Sequence, residues 1–424
     1  MSKQGLIIGI DYTNEYCQAC YYSTKHGRPE SISDGTEVMR YLIPAVLSFN
    51  ADINTWLIGS AALEYAHSTG AGLYRDLLDN MMADQSVAIG DKLCTYEELF
   101  SIYLGKLLDQ VRVRSAVMNI DSITVNLRAV SLQIKQSMEN VFRRVNIEPD
   151  KLKFISCAES FAYYLINEPE ELWLDGAILF DFSEDGFFTR QLSIAGEMDR
   201  RLVYINERSY PMDFSMRDLA SEMLRDQLDE RLNNIYEDLK SEGRRSSVFF
   251  TGEGFNELWF RNTLKNISSR RRAFKGNNIY VKGACLAGLM RAEGKDQDLH
   301  IVCQGRTKAD IYVEVRYQGQ PVNMNLSKSC IDWYDAYSDL DFILGDEKSI
   351  TFSICSLVSR ETTQVVFDLS GFPERPPKTT RVGISVRYIN DSECEITVRD
   401  KGFGAFWPAS GEAVTKRLNL EGYN

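Results

Sequence analysis

The sequence has few of the residues and segments that mark several large classes of protein. It contains only three histidines, and His26, His67 and His300 lie far apart with no motif around them. This disfavours a histidine-based catalytic group. No apolar run approaches the roughly 20 residues of a membrane-spanning helix. The first apolar run, Leu6 to Ile10, is too short for a signal peptide and lacks its basic flank. We therefore expect a cytoplasmic protein without a membrane partner.

Basic charge is also scarce. The chain has 48 Lys and Arg against 60 Asp and Glu, which gives a net charge of -12 and a pI near 5.0. A protein that binds nucleic acid usually presents a basic surface. The charge balance therefore argues against a nucleic-acid partner.

The cysteines do not form the pattern of a disulfide framework. There are nine, an odd number, and they are scattered along the chain. Only Cys17 and Cys20 have the CxxC spacing. They fall in a predicted strand, where residues three apart point to opposite faces, so joint metal binding by this pair is disfavoured.

A strand, turn and strand pattern occurs twice and organises the rest of the chain. Gly176 to Arg190 begin with an apolar run that ends at Asp181, pass through a polar tip and return as a second run. Gly5 to Tyr22 repeat this order around Asp11. Each pattern is typical of a buried strand with a tight turn and a hairpin partner. Two such hairpins predict two similar lobes that face each other.

Strand-like and helix-like segments alternate after each hairpin, as from Ser122 to Ser156. This alternation predicts a mainly parallel sheet covered on both faces. Small residues crowd the predicted helix from Val281 to Met290, which implies close approach of another backbone. After the polar segment Glu293 to Asp298, strand-like alternation replaces the helical period, as in Ile311 to Tyr317. The last third is therefore predicted to be a separate all-β domain, a sandwich.

This order of segments resembles the ATPase superfamily of actin, sugar kinases and the seventy-kilodalton heat-shock chaperones, and most closely the chaperones. The resemblance implies a two-lobed α/β actin-like ATPase fold of duplicated mixed sheets with flanking helices, followed by a β-sandwich like the chaperone peptide-binding domain. The implied boundaries are 1–170 and 171–294 for the lobes, with a connecting helix at 281–293, and 295–424 for the sandwich. The matching segments are Ile43–Phe49, Trp56–Ala62, Ile123–Val125, Ser156–Tyr164, Val248–Gly254, Gly283–Gly288, Phe367–Pro377, Val382–Tyr388 and Cys394–Gly402.

The resemblance also implies a site. In this family the hairpin tips hold the ATP phosphates, and an aspartate that ends the first strand serves the magnesium ion. Asp11 and Asp181 match those aspartates and are the metal candidates; with Glu159 they are the catalytic candidates if the protein is an active enzyme. The aspartates fit a structural role at the strand ends as well, and the later glycines fit a plain turn. ATP or ADP with magnesium is the implied cofactor, and its candidate contacts are Asp11, Thr13, Ser183, Gly186, Gly252 and Gly254.

The hairpin tips depart from the family in a way that bears on function. A phosphate cradle needs converging backbone N–H groups, which glycines make possible. The tips here, Tyr12 to Glu15 and Phe182 to Gly186, contain one glycine between them. They also contain Glu15, Glu184 and Asp185. One carboxylate about 4 Å from a phosphate charge costs about 4 kcal/mol at an effective dielectric constant of about 20.

The sequence therefore predicts a degenerate heat-shock-chaperone-like protein that has lost ATP hydrolysis and binds a protein or peptide partner as a binding or scaffold protein. The alternative is a divergent ATP-binding chaperone ATPase in which a metal ion offsets Glu184 and Asp185. About twenty residues follow Gly404, too few for the helical lid of the chaperones. The sequence leaves the identity of the partner and the oligomeric state open.

Overall fold

The chain divides into two units, Met1–His300 and Ile301–Asn424. The first mixes helices and sheets, and the second is all-β. The computed structural model describes residues 5–34, 41–195, 202–211, 213–241, 247–296, 299–357, 359 and 361–420.

The elements of the first unit alternate between strands and helices along much of its length. Its strands are Leu6–Tyr12 (β1), Tyr16–Ser23 (β2), Arg28–Ser31 (β3), Ile43–Pro44 (β4), Leu47–Asn50 (β5), Thr55–Ile58 (β6), Leu73–Tyr74 (β7), Ser86–Ile89 (β8), Lys92–Thr95 (β9), Ile120–Leu127 (β10), Leu152–Ser156 (β11), Ala177–Ser183 (β12), Gly186–Ala195 (β13), Leu202–Ser209 (β14), Ser247–Thr251 (β15) and Arg272–Lys275 (β16); His300–Val302 (β17) lies at the unit boundary. Its α-helices are Gly59–Thr69 (α1), Leu77–Met82 (α2), Tyr96–Ser115 (α3), Leu132–Arg144 (α4), Cys157–Ile166 (α5), Glu222–Ser241 (α6), Arg261–Ser268 (α7) and Ile279–Ala292 (α8). Short 3₁₀ turns occur at Pro149–Lys151, Glu170–Leu172, Met216–Ala220 and Glu253–Phe255.

Two sheets of the first unit repeat one strand order. The first runs β11-β10-β1-β2-β3, and the second contains β16-β15-β12-β13-β14. In each sheet the first hairpin strand pairs in parallel with the strand on one side and antiparallel with its hairpin partner on the other. Both hairpins predicted from the sequence are thus confirmed. The sheets are mixed rather than mainly parallel, because each hairpin and the strand after it add two antiparallel pairs.

Helix α8 packs at backbone distance, as its small residues predict. A Cβ atom at Gly283 would lie 1.9 Å from the carbonyl oxygen of Ser160 in α5. A Cβ atom at Gly9 in β1 would lie 2.3 Å from the carbonyl oxygen of Val281. Glycine is therefore required at Gly283, where α8 meets α5, and at Gly9, where β1 meets α8. None of the described helices is long and apolar enough to cross a membrane.

The second unit consists of two antiparallel sheets with a shared core. One runs in the order β19-β18-β21-β22 and the other β20-β23-β24-β25, where the strands are Ala309–Tyr317 (β18), Gln320–Ser327 (β19), Tyr337–Leu344 (β20), Ser349–Ser356 (β21), Thr362–Asp368 (β22), Thr380–Asn390 (β23), Glu393–Gly402 (β24) and Ala413–Asn419 (β25), with a 3₁₀ turn at Trp333–Asp335. Phe352 and Phe367 from one sheet join Ile384 and Val398 from the other in one buried cluster, as in a β-sandwich. The expected all-β region is confirmed.

Candidate functional site

The tips of the two central hairpins, β1-β2 and β12-β13, meet at a small cleft within the first unit. Its volume is about 40 Å³, far below the roughly 300–1,000 Å³ of small-molecule pockets. Five of the residues proposed from the sequence line it: Asp11, Thr13, Asp181, Ser183 and Gly252. The other lining residues are Glu15, Tyr16, Gln18, Leu42, Arg128, Glu184, Asp185, Thr251, Glu253, Asn277 and Tyr280.

The first aspartate, Asp11 near the end of β1, lies beside an arginine. Its Oδ1 accepts a hydrogen bond from Asn126 Nδ2 at 2.7 Å and lies 3.9 Å from Arg128 Nη1. Burial raises the pKa of Asp11 above its usual value, and Arg128 and Asn126 only partly offset this. Arg128 Nε also donates to Asp185 Oδ2 at 2.9 Å, in the tip of the second hairpin. One guanidinium therefore neutralises carboxylates from both hairpins.

The second aspartate, Asp181 in β12, belongs to a buried polar cluster. Its Oδ2 accepts hydrogen bonds from Arg190 Nη1 at 3.0 Å and from the Tyr280 hydroxyl at 2.6 Å. Arg190 also forms an ion pair with Glu207. The side chains of Asp181 and Arg190 are 3% and 4% exposed. Burial alone would lower the pKa of Arg190, but Tyr280, Glu207 and Asp181 together raise it. Arg190 thus remains charged and holds Asp181 in place.

The hairpin tips use their own polar groups within the turns. In the first tip, the Thr13 N–H donates to the Tyr16 carbonyl oxygen at 2.8 Å, and the Tyr16 N–H donates to Thr13 Oγ1 at 3.0 Å. In the second tip, Ser183 pairs directly with Gly186 across a two-residue turn. Gly186 has φ 122°, a conformation that favours glycine for steric reasons alone. Two N–H groups of the first tip are therefore not directed at an external anion.

The charge around the cleft is strongly negative. Among the residues that the structure describes, one cation, Arg128, lines it together with six carboxylates: Asp11, Glu15, Asp181, Glu184, Asp185 and Glu253. Burial and the neighbouring Glu184 and Asp185 raise the pKa of Glu15, and burial raises the pKa of Glu253. In the part of the chain that the structure describes, no group of three or more His, Cys, Asp or Glu side chains is arranged to hold a metal ion.

Backbone packing explains Gly252 and Gly254, and helix capping explains Glu159. Gly252 has φ 91°, and a Cβ atom there would lie 2.1 Å from the Phe182 carbonyl oxygen. A Cβ atom at Gly254 would lie 2.3 Å from Phe182 Cδ1. Glu159 forms a capping box at the start of α5, where its Oε2 accepts from the Ser156 N–H at 2.9 Å. Glu159, Gly186 and Gly254 do not line the cleft.

The sequence reasoning missed the residues that neutralise the aspartates. Arg128, Arg190, Asn126 and Tyr280 contact Asp11 or Asp181 but were not among the candidates. A partial signal was present, because Asn126 and Arg190 are polar residues within predicted buried strands. Such residues are almost always hydrogen-bonded when buried.

Comparison with known proteins finds two matches along the chain, neither with an assigned activity. Residues 28–304, more than half of the chain, match the "Family of unknown function (DUF5716) C-terminal". The chain belongs to this family. Residues 306–420 match a "Domain of unknown function (DUF8552)", so the border between the matches lies close to the unit boundary after His300. No curated protein matches the sequence.

Proposed function

We propose that the first unit is a degenerate relative of the actin-like ATPases, closest to the seventy-kilodalton heat-shock chaperones, and that the protein acts by binding a protein or peptide partner rather than by hydrolysing ATP. The repeated strand order supports the fold assignment, because both sheets are built around an equivalent hairpin. Asp11 and Asp181 occupy the last part of the first strand in each hairpin. This correspondence supports an actin-like origin for the cleft.

The loss of ATP hydrolysis rests on one observation: each aspartate is already neutralised by a cation of the chain itself. Arg128 lies beside Asp11, and Arg190 with Tyr280 saturates one oxygen of Asp181. In an active family member these carboxylates serve a magnesium ion and its waters. With the arginines in place, a metal ion would have to displace a buried ion pair. A triphosphate would also meet six carboxylates.

Calorimetric titration with magnesium ATP and magnesium ADP tests this proposal. We expect no saturable heat and no rise in melting temperature at millimolar nucleotide. A ligand present at about 100 times its Kd would stabilise the folded state by roughly 2.7 kcal/mol, so binding would be easily detected. ATP hydrolysis that is abolished by Asp11→Asn or Asp181→Asn, and unaffected by the exposed control Asp175→Asn, would refute the proposal.

The alternative, a divergent ATP-binding chaperone ATPase, is favoured by the exposed tip of the second hairpin. Glu184 is exposed, and the Asp185 side chain is 44% exposed, so both are accessible to a metal ion from solvent. If magnesium offsets these charges, nucleotide binding should require magnesium and weaken in Glu184→Ala. Binding that strengthens in the same variant would instead indicate repulsion between Glu184 and phosphate.

The β unit is the proposed binding module for an extended apolar segment. Its edge strands carry exposed apolar side chains, including Val322 in β19, Ile343 in β20 and Val366 in β22. An edge strand can accept a peptide as an additional strand, with side-chain pockets supplying specificity. We expect a peptide array to select extended apolar segments with weak, rapidly exchanging binding. An array without that preference would leave only a scaffold role.

The proposed location is the cytoplasm. No disulfide bond is formed among the described residues, and eight of the nine cysteines are buried. Reduced cysteines are typical of a reducing compartment, so the thiols support this location, which cell fractionation can test.

A further inference from the structure

A second and much larger cavity lies in the first unit and shares no lining residue with the cleft. Its volume is about 640 Å³, within the roughly 300–1,000 Å³ range of small-molecule sites. Its walls come from the β5-β6 hairpin, the β8-β9 hairpin, helix α3 and the end of α4. This cavity therefore has the volume that the cleft lacks.

The floor of the cavity is apolar and held in place by aromatic packing. Trp56 lines it, and its ring centroid lies 5.2 Å from that of Phe49 and 5.8 Å from that of Tyr74. Ile102 and Val145 also line it and pack against the core of the first unit. A ligand body seated here would contact ordered aromatic and aliphatic surface, which favours an apolar body.

A glycine in the middle of α3 leaves the cavity open. Gly105 lines it, although glycine in a helix interior costs about 1 kcal/mol relative to alanine. A Cβ atom at Gly105 would lie 3.2 Å from Val145 Cγ1, another lining atom. A longer side chain at this position would therefore extend along the cavity wall and reduce the open volume. Keeping room for a ligand is one physical reason for a glycine at position 105.

Unpaired positive charge lies at the rim. Lys92 and Lys106 both line the cavity, and neither forms an ion pair with any described residue. Lys106 Nζ is 3.3 Å from Thr55 Oγ1, a neutral partner.

The other charged residues of the cavity already have partners. Arg144 Nε lies 2.6 Å from Glu97 Oε1, and Asp109 pairs with Arg112. The carboxylate of Glu98 accepts the Thr95 N–H at 3.1 Å in the capping box of α3, but a neutral N–H does not offset its charge. Two lysines against this one carboxylate leave a net positive charge for a ligand.

We infer that this cavity binds a small amphipathic anion, with its apolar body against Trp56 and Ile102 and a single carboxylate or similar headgroup at Lys92 and Lys106. Burial of the body supplies the affinity, and the two ammonium groups select a negative headgroup over a neutral or positive one. The inference is independent of the proposed function, because the cleft and the β unit take no part in it.

Titration calorimetry of the full chain with three matched probes tests the inference. The probes are decanoate, decanol and decyltrimethylammonium, which share an apolar body and differ in headgroup charge. We expect saturable binding of decanoate, and binding of the other two probes at least tenfold weaker. Equal binding of all three probes, or no saturable binding of decanoate, would overturn the inference.

Variants separate this site from general adsorption. The double substitution Lys92→Met with Lys106→Met should weaken decanoate binding about tenfold or more, whereas the exposed control Lys265→Met should not. Gly105→Leu should abolish binding by filling the cavity, and Gly276→Leu, at an open position, should not. The lysine double variant keeps the test decisive if Gly105→Leu does not fold. Wild-type affinity in the double variant would refute the site.

Discussion

Replacing Asp181 with alanine should strongly destabilise the first unit, because Asp181 is proposed to be a structural ion-pair partner rather than a metal ligand. The substitution leaves the Arg190 guanidinium, which is 4% exposed, without one of its two carboxylate partners and deprives the Tyr280 hydroxyl of its acceptor. Removing one partner of a buried ion pair costs about 3–5 kcal/mol. Glu207 still pairs with Arg190, so we expect the lower part of this range.

Differential scanning calorimetry of the full chain measures the effect. At roughly 2 °C per kcal/mol for a large domain, the lower part of this range lowers the melting temperature of the first unit by about 6–8 °C. A transition from the second unit serves as an internal reference, because Asp181 lies outside it. Asp175→Ala, at an exposed aspartate just before β12, is the matched control and should melt like the wild type.

A double substitution isolates the ion pair. Asp181→Ala with Arg190→Met removes both charges, so its destabilisation should be smaller than the sum of the two single effects. Wild-type or higher melting temperature for Asp181→Ala would refute the reasoning. Such a result, combined with loss of ATP hydrolysis, would assign Asp181 to catalysis, since functional sites are often held at a cost in stability.

Two further predictions concern packing and pH. Gly283→Ala should destabilise the first unit by at least about 2 kcal/mol, because its Cβ atom would lie 1.9 Å from the Ser160 carbonyl oxygen; Gly276→Ala, at an open position, should be nearly neutral in chemical denaturation. In the β unit, burial alone would raise the pKa of Asp400, but hydrogen bonds from Arg375 and the loop hold it well below its usual value. Stability from this group is therefore present above the unfolded pKa of about 3.9 and is lost as the pH falls through the lower folded value. Unfolding free energies measured from pH 7 to pH 2 should show this loss in the wild type and not in Asp400→Asn.

The sequence predicts the features that depend on local chain chemistry. The apolar runs around Asp11 and Asp181 identify both hairpins, because strand period and turn residues lie within a few positions of each other. The disappearance of the helical period after Glu293 identifies the all-β region for the same reason. The small residues near Gly283 predict close helix packing, although only the structure identifies the partner as α5.

The neutralisation of the cleft could not be predicted in this way. Asn126 and Asp11 are 115 residues apart in the chain, and Tyr280 and Asp181 are 99 apart. No periodicity links residues at such separations, since the first contact needs β1 paired with β10 and the second needs α8 packed beside β12. Charge counting at the hairpin tips therefore identified the carboxylates but not Arg128, which pairs with Asp185, or Arg190, which pairs with Asp181. The Glu159 capping box, by contrast, was visible as Ser156 followed three residues later by glutamate.

Arg128, which lies beside Asp11, and Arg190, which lies beside Asp181, differ in what they contribute to the coupling of the sheets. Arg128 joins the first sheet to the tip of the second hairpin, but Asp185 is 44% exposed, and an ion pair of that kind contributes only about 0–1 kcal/mol. The Arg190 cluster is buried and includes Tyr280 of α8, the helix whose backbone also packs against β1 at Gly9. Helix α8 therefore links the two sheets, because its Tyr280 holds Asp181 of one sheet while its backbone packs against Gly9 of the other.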